Sequence, residues 1–242
     1  MTEQSNTDWL EEATESAPAR RDQIFEVGVF LFLIVPSMVT SFFIIKTGTA
    51  GFGITAFATI LRDLALVALI LLFLWRNREP IRRIGWTAGG GWREVAIGII
   101  LAPVIFYAAG YLDQALQSAG LSGPSNTQQP GVLEAVGAGQ LVLAFVLVVV
   151  VAIAEETIFR GYLMLRFKGI WHSPALAIVL SAFVFSLGHG YEGTAGVITV
   201  GLMGAAFAII YQWRGSLVAP MILHFIQDFI SIVLAPLITG GS

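Results

Sequence analysis

The chain has 242 residues, of which 56% are hydrophobic and 12% charged, with a mean hydropathy of +0.80. A soluble domain carries about twice that charged fraction, so the composition is that of an integral membrane protein. A net charge of −3 with no basic patch excludes a nucleic-acid-binding surface. The absence of cysteine excludes disulfides, thiolate catalysis and cysteine metal sites, and leaves His172, His189 and His224 as the only imidazoles.

Residues 1–24 form a polar, acidic tail without the basic start of a secretory signal. Residues 25–138 carry three predicted spans: Phe25 to Ile45, kinked at Pro36; Phe52 to Trp75, with the adjacent pair Arg62 and Asp63; and Val95 to Leu116. Arg62 and Asp63 are consecutive on a helix and so do not face each other; they are expected to pair with other helices. Tyr107 and Tyr111 share a face of the third span and are candidate cavity-lining residues. The fourth span starts at Leu141 as fourteen apolar residues ending at Ala154, then meets Glu155 and Glu156 and continues to Leu163. A span needs roughly 20 residues, and in lipid only a helix satisfies such a segment's backbone. Three more follow: Ala175 to His189, Gly196 to Trp213 with its small residues, and Leu217 to Leu237. Residues 239–242 are a short tail. Arginine and lysine concentrate on one side (Arg20, Arg21, the loop from Arg76 to Arg93, Arg160, Arg166, Lys168, Arg214), against Lys46 alone on the other. That asymmetry predicts a cytoplasmic N-terminus and an external C-terminus. The whole is an all-α polytopic membrane protein of about seven helices, expected in a prokaryotic plasma membrane.

The acids in the fourth span are costly there, about 2.5 to 3.5 kcal/mol each against 0.3 to 0.6 returned by each central apolar residue. A plain anchor has no use for them. Glu156 and Arg160 lie four apart on one helical face and read as an architectural pair. Glu155 points elsewhere and is free to act as a proton acceptor in a cavity. His224 and Asp228 likewise share a face, so Asp228 can orient the imidazole through its second nitrogen. His189 ends the fifth span between Gly188 and Gly190, with Phe185 one turn back as a pocket wall. At 1.5 Å per residue, Glu155 and His224 fall roughly 12 to 15 Å from the cytoplasmic ends of their spans, whereas His189 lies about 22 Å along its own. The set suits attack of water on an amide, with a carboxylate as base. It could equally hold zinc, although no paired-histidine zinc helix is present.

Three blocks, AEETIFRGYL, FSLGH and WRGSLVAPMILHFIQD, carry a resemblance across about Gly139 to Pro236. They resemble the CAAX prenyl protease and bacteriocin-processing family, which includes the type II CAAX endopeptidases. The resemblance implies a catalytic core of the four C-terminal helices (residues 139–238). It implies that Glu155 activates water with His189 as partner, and that His224 and Asp228 serve the oxyanion site. Glu156 and Arg160 then match the supporting part of the first motif. Asp228 stands where the best-understood prenyl proteases have asparagine. The implied activity is an intramembrane endopeptidase of glutamate type acting on a membrane-associated protein or peptide, with no cofactor expected and zinc not excluded. Prenylation of the substrate is not implied. The alternatives are a non-proteolytic relative that binds a peptide or partner in the same cavity, as an immunity or scaffold protein, and, more remotely, a transporter using the acids as a proton relay.

Overall fold

The computed structural model describes residues 17–47, 51–87, 89–123 and 137–239. Among these residues the chain is all helix, without a strand. Helix α1 spans Arg20–Thr47, α2 Phe52–Arg76, α3 Trp92–Ser118 and α4 Ala138–Glu155. Helix α4 continues through a π-helical stretch, Glu156–Leu163, into α5 (Met164–Trp171). Next are α6 (Pro174–Leu187), α7 (Gly193–Arg214), α8 (Val218–Asp228), a second π-helical stretch at Phe229–Leu234, and α9 (Ala235–Thr239). Five segments are long and apolar enough to cross a membrane; Pro174–Leu187 and Val218–Leu234 are shorter apolar helices. The seven segments match the seven predicted spans, and the fold is that of a polytopic membrane protein. Helix α1 begins at Arg20, inside the stretch read as tail.

The fourth segment is longer than predicted: helix runs unbroken from Ala138 to Trp171, 34 residues, well past Leu163. It stops where His172 takes a left-handed conformation (φ 55°), and Ser173 then caps α6 by accepting from the Leu176 amide at 3.2 Å, with Pro174 in the first turn. This extra length removes the depth conflict at His189. From Glu155 down to Trp171 is about 24 Å, and the climb from Pro174 back to His189 is about 22 Å. Both residues therefore return to one layer.

Large apolar side chains such as Phe32, Ile54, Phe57, Val104 and Leu202 cover the outside of the bundle, as a lipid-facing surface requires. Inside, one apolar cluster joins α1, α2, α5, α6 and α7 around Phe30, Ile70, Tyr162 and Phe167. A second joins α2, α4 and the final π stretch through Phe52, Ala56, Ala144 and Val148. A third joins α3, α7 and α8 through Ala102, Phe207 and Leu223. At Gly98 an added Cβ would lie 2.7 Å from Ile222 and 2.9 Å from the Ala219 carbonyl, so glycine sets how closely α3 meets α8.

Buried ions complete the interior. The Arg166 guanidinium is held by Glu26 of α1 at 2.8 Å and forks onto Glu79, which follows α2. Tyr162 donates to Glu26 at 2.7 Å, Asn77 donates to it at 2.6 Å, and Arg83 meets Glu79 at 2.9 Å. Arg166, Glu26 and Glu79 are all buried. Removing one partner of a buried ion pair costs roughly 3–5 kcal/mol, because the other charge is stranded. Arg166→Met is therefore expected to lower stability by about that amount, read as unfolding at lower denaturant in detergent micelles. An unshifted transition would show that the cluster contributes nothing to holding α1 and α2 on the bundle.

Candidate active site

Glu156 and Arg160 sit at the centre of the bundle, both fully buried. Arg160 donates from Nη1 to Glu156 Oε1 at 2.7 Å and from Nη2 to the Gly204 carbonyl of α7 at 3.2 Å. Its guanidinium lies over Phe185 of α6, 4.3 Å from the ring centroid, and 5.3 Å from that of Phe207 of α7. An added Cβ at Gly204 would stand 2.9 Å from Phe185 and 3.0 Å from Arg160 Nη2; only glycine lets the cation reach that carbonyl. The predicted pairing of Glu156 with Arg160 is present, on a wider helical turn than α geometry gives.

The same Glu156 oxygen meets His224 Nδ1 at 2.8 Å. A carboxylate in an ion pair with arginine is an acceptor, so Nδ1 donates and the imidazole orientation is fixed. Asp228 lies at the ring's other nitrogen, with Oδ2 3.4 Å from Nε2, while the shorter contact that fixes the ring, from Glu156 to Nδ1, is one the spacing did not signal. Glu155 Oε2 lies 3.8 Å from the same Nε2. Glu155, Glu156, His224 and Asp228 are thus brought together, with the imidazole among three carboxylates. Glu155 and Asp228 keep 14% and 21% side-chain exposure, whereas Glu156 keeps none. The two outer acids face a space; the inner one does not.

His189 follows α6 at a turn, and its Nδ1 lies 3.3 Å from the Phe185 carbonyl, which can only accept. The proton therefore sits on Nδ1 in that contact, and Nε2 is the free nitrogen. Phe185 is wedged between the two histidines, 4.9 Å from the His189 ring and 6.1 Å from that of His224. It is buried and packs edge-on to Phe159, whose carbonyl accepts from Ser181 at 2.7 Å. The predicted wall residue is where the sequence put it. Tyr107 and Tyr111 are not: they are 65% and 73% exposed on α3 and do not line this space. Their shared face is the outer one, where aromatic side chains meet lipid or its interface.

Two contributors lie outside the predicted set. Arg62 does face Asp63, contrary to expectation, because its long side chain folds back along the helix. Nε and Nη2 both reach Asp63 Oδ1 at 2.8 Å, and Nη2 stands 3.9 Å from Glu155 Oε1. Tyr191 lies beside His189 (ring centroids 6.0 Å apart) and within electrostatic reach of Glu155 and Asp228. Neither was signalled by spacing, since both come from elements that only the tertiary fold brings near. Both π-helical stretches also adjoin the site, one opening at Glu156 and the other directly after Asp228. Such bulges re-aim side chains and recur at functional sites. Among the described residues, no group of three or more histidine and acidic side chains has a geometry suited to a metal ion.

Residues 137–230 match the family described as type II CAAX prenyl endopeptidase, Rce1-like. That segment runs from the start of α4 past Asp228 and contains all three motif blocks. No curated protein and no solved structure matches the chain.

Two variants test the core of this arrangement. Glu156→Gln leaves the Arg160 charge buried without its partner and is expected to cost about 3–5 kcal/mol of stability. Gly204→Ala overpacks against Phe185 and Arg160 and is expected to cost about 1–3 kcal/mol. Thermal unfolding in micelles reads both; wild-type stability in either variant would contradict the packing described.

Proposed function

We propose, from the membership of residues 137–230 in the Rce1-like type II CAAX prenyl endopeptidase family, that the protein is an intramembrane endopeptidase of glutamate type. The observation that carries the reading is Glu155: a partly exposed carboxylate 3.8 Å from an imidazole that a buried ion pair holds in place. Composition and fold support a polytopic membrane protein, and the family match supports a protease-like one.

In this reading Glu155 accepts a proton from a water molecule as the water oxygen bonds to the scissile carbonyl carbon. The carbonyl π electrons move onto oxygen, where a proton on His224 Nε2 stabilises the charge. The tetrahedral species then collapses, the C–N bond breaks, and the proton held by Glu155 passes to the departing amine. His189, with Nε2 free, helps position the water. Glu156 and Arg160 do not touch the reacting atoms; they fix His224. The substrate is a membrane-associated protein or peptide reaching the site within the bilayer. In the same reading the N-terminus faces the cytoplasm of a prokaryotic cell, on the strength of the arginine and lysine asymmetry, and the reaction needs no metal.

Glu155→Gln removes the base and keeps its volume, so it is expected to leave the protein folded and abolish turnover. Profiling membrane and secreted peptides from cells carrying wild type or Glu155→Gln should reveal termini present only in the wild type. Coincident profiles, with purified folded protein cleaving none of the candidates, would replace the peptidase by a peptide-binding relative. Activity is expected to survive chelation. Stoichiometric zinc whose removal abolishes activity and whose return restores it would move the mechanism to a metalloprotease.

A further inference from the structure

Helix α2 lies outside the segment that matches the family, yet it brings two charges to the site. In lipid an ionisable side chain is expensive, and two that merely neutralise each other return nothing. Asp63 is almost fully buried, and one of its oxygens, Oδ2, has no hydrogen-bond partner among the described residues. Arg62 is one-quarter exposed, spends Nε and Nη2 on the other oxygen, and turns Nη2 towards Glu155 at 3.9 Å. That distance is too long for a hydrogen bond and short enough for charge to act.

Each glutamate of the pair therefore has its own arginine, in contrasting arrangements. Glu156 is gripped by Arg160 at 2.7 Å and has no exposure. Glu155 is approached by Arg62 without being bonded to it, and keeps its oxygens for the open space. Asp63 accounts for the difference: it retains the guanidinium by a hydrogen bond from Nε and a 2.8 Å ion-pair contact from Nη2, which holds the cation off the Glu155 carboxylate. We infer that Arg62, restrained by Asp63, is a positioning residue for Glu155, supplied to the site by a helix outside the family-matched segment. The inference rests on the peptidase reading for its consequence, though not for its geometry. Other charged or polar groups facing Glu155 are His224 and Asp228 of α8, Tyr191 of the turn after His189, and Glu156 and Arg160 of its own helix.

Two measurements on the full-length protein in micelles decide it. The first is a thermal-unfolding cycle of Arg62→Gln, Glu155→Gln and the double variant. Loss of stability on Arg62→Gln should shrink once Glu155 is also neutral; strictly additive shifts overturn the inference, whatever the activity. The second uses peptides with wild-type, Glu155-dependent termini as substrates. Arg62→Gln is expected to lower kcat about tenfold or more with KM little changed, as part of the roughly 10²–10⁴ a general base contributes. Arg62→Lys keeps the charge without the hydrogen bond from Nε and should recover part of that loss; it also replaces Arg62→Gln if the latter fails to fold. Wild-type kcat in both variants overturns the positioning role. If wild type produces no Glu155-dependent termini at all, the peptidase reading fails, and the unfolding cycle alone decides whether Arg62 and Glu155 are coupled.

Discussion

A single buried oxygen, Oε1 of Glu156, organises the core of this bundle. It accepts from Arg160 at 2.7 Å and from His224 Nδ1 at 2.8 Å. Taking such charges out of water costs several kcal/mol per ion, and mutual attraction offsets this only when the geometry is tight and the remaining hydrogen-bonding capacity is used. Here Arg160 also donates to the Gly204 carbonyl and lies between Phe185 and Phe207, where ring faces favour a cation, whereas Glu156 Oε2 and Arg160 Nε have no hydrogen-bond partner among the described residues and leave part of that cost in place. The π-helical turn, α6, α7 and α8 all converge on that pair. His224 cannot swing without unpairing Glu156, so the same interaction that packs four elements also fixes the orientation of the imidazole.

Two of the three N-terminal helices are fastened to this core by the same kind of interaction. Helix α1 brings Glu26 to Arg166 at 2.8 Å and α3 brings Glu94 to Arg214 at 2.7 Å, whereas α2 brings Arg62 only to within 3.9 Å of Glu155. Between helices in lipid, apolar burial gives little net drive, so close packing and polar contacts must supply the specificity. The ionic contacts of α1 and α3, at different places on the core, define where those two helices dock. Small residues such as Gly98 then allow the approach.

The seven hydrophobic segments were legible because lipid forces helices of a known minimum length. Glu156 with Arg160 was legible because a four-residue spacing survives on the widened turn, and Phe185 because it lies one turn from His189. The length of the fourth segment was not, since nothing in MLRFKGIW breaks a helix and its basic residues resemble a span's end. Arg166 is in fact buried in an ion cluster, so its charge did not mark the water boundary. The Arg62–Asp63 contact was misread because adjacent helical residues diverge at Cβ, while a long arginine side chain can return. Tyr107 and Tyr111 were misread because a shared face says nothing about whether that face looks inward.

The aspartate at 228, where related prenyl proteases carry asparagine, bears directly on how the proposed reaction handles negative charge. An asparagine amide can donate a hydrogen bond to an oxyanion; an ionised aspartate only accepts. In this site His189 has committed Nδ1 to the Phe185 carbonyl, and His224 has committed Nδ1 to Glu156. The remaining donor among these groups is a proton on His224 Nε2. That nitrogen lies 3.4 Å from Asp228 and 3.8 Å from Glu155, so a proton there is attracted to two carboxylates while hydrogen-bonded closely to neither. In the proposed reaction Asp228 therefore stands beside the donor without itself supplying one. In that proposal the donor is the imidazole one helical turn before position 228, and Glu156 fixes its orientation through Nδ1.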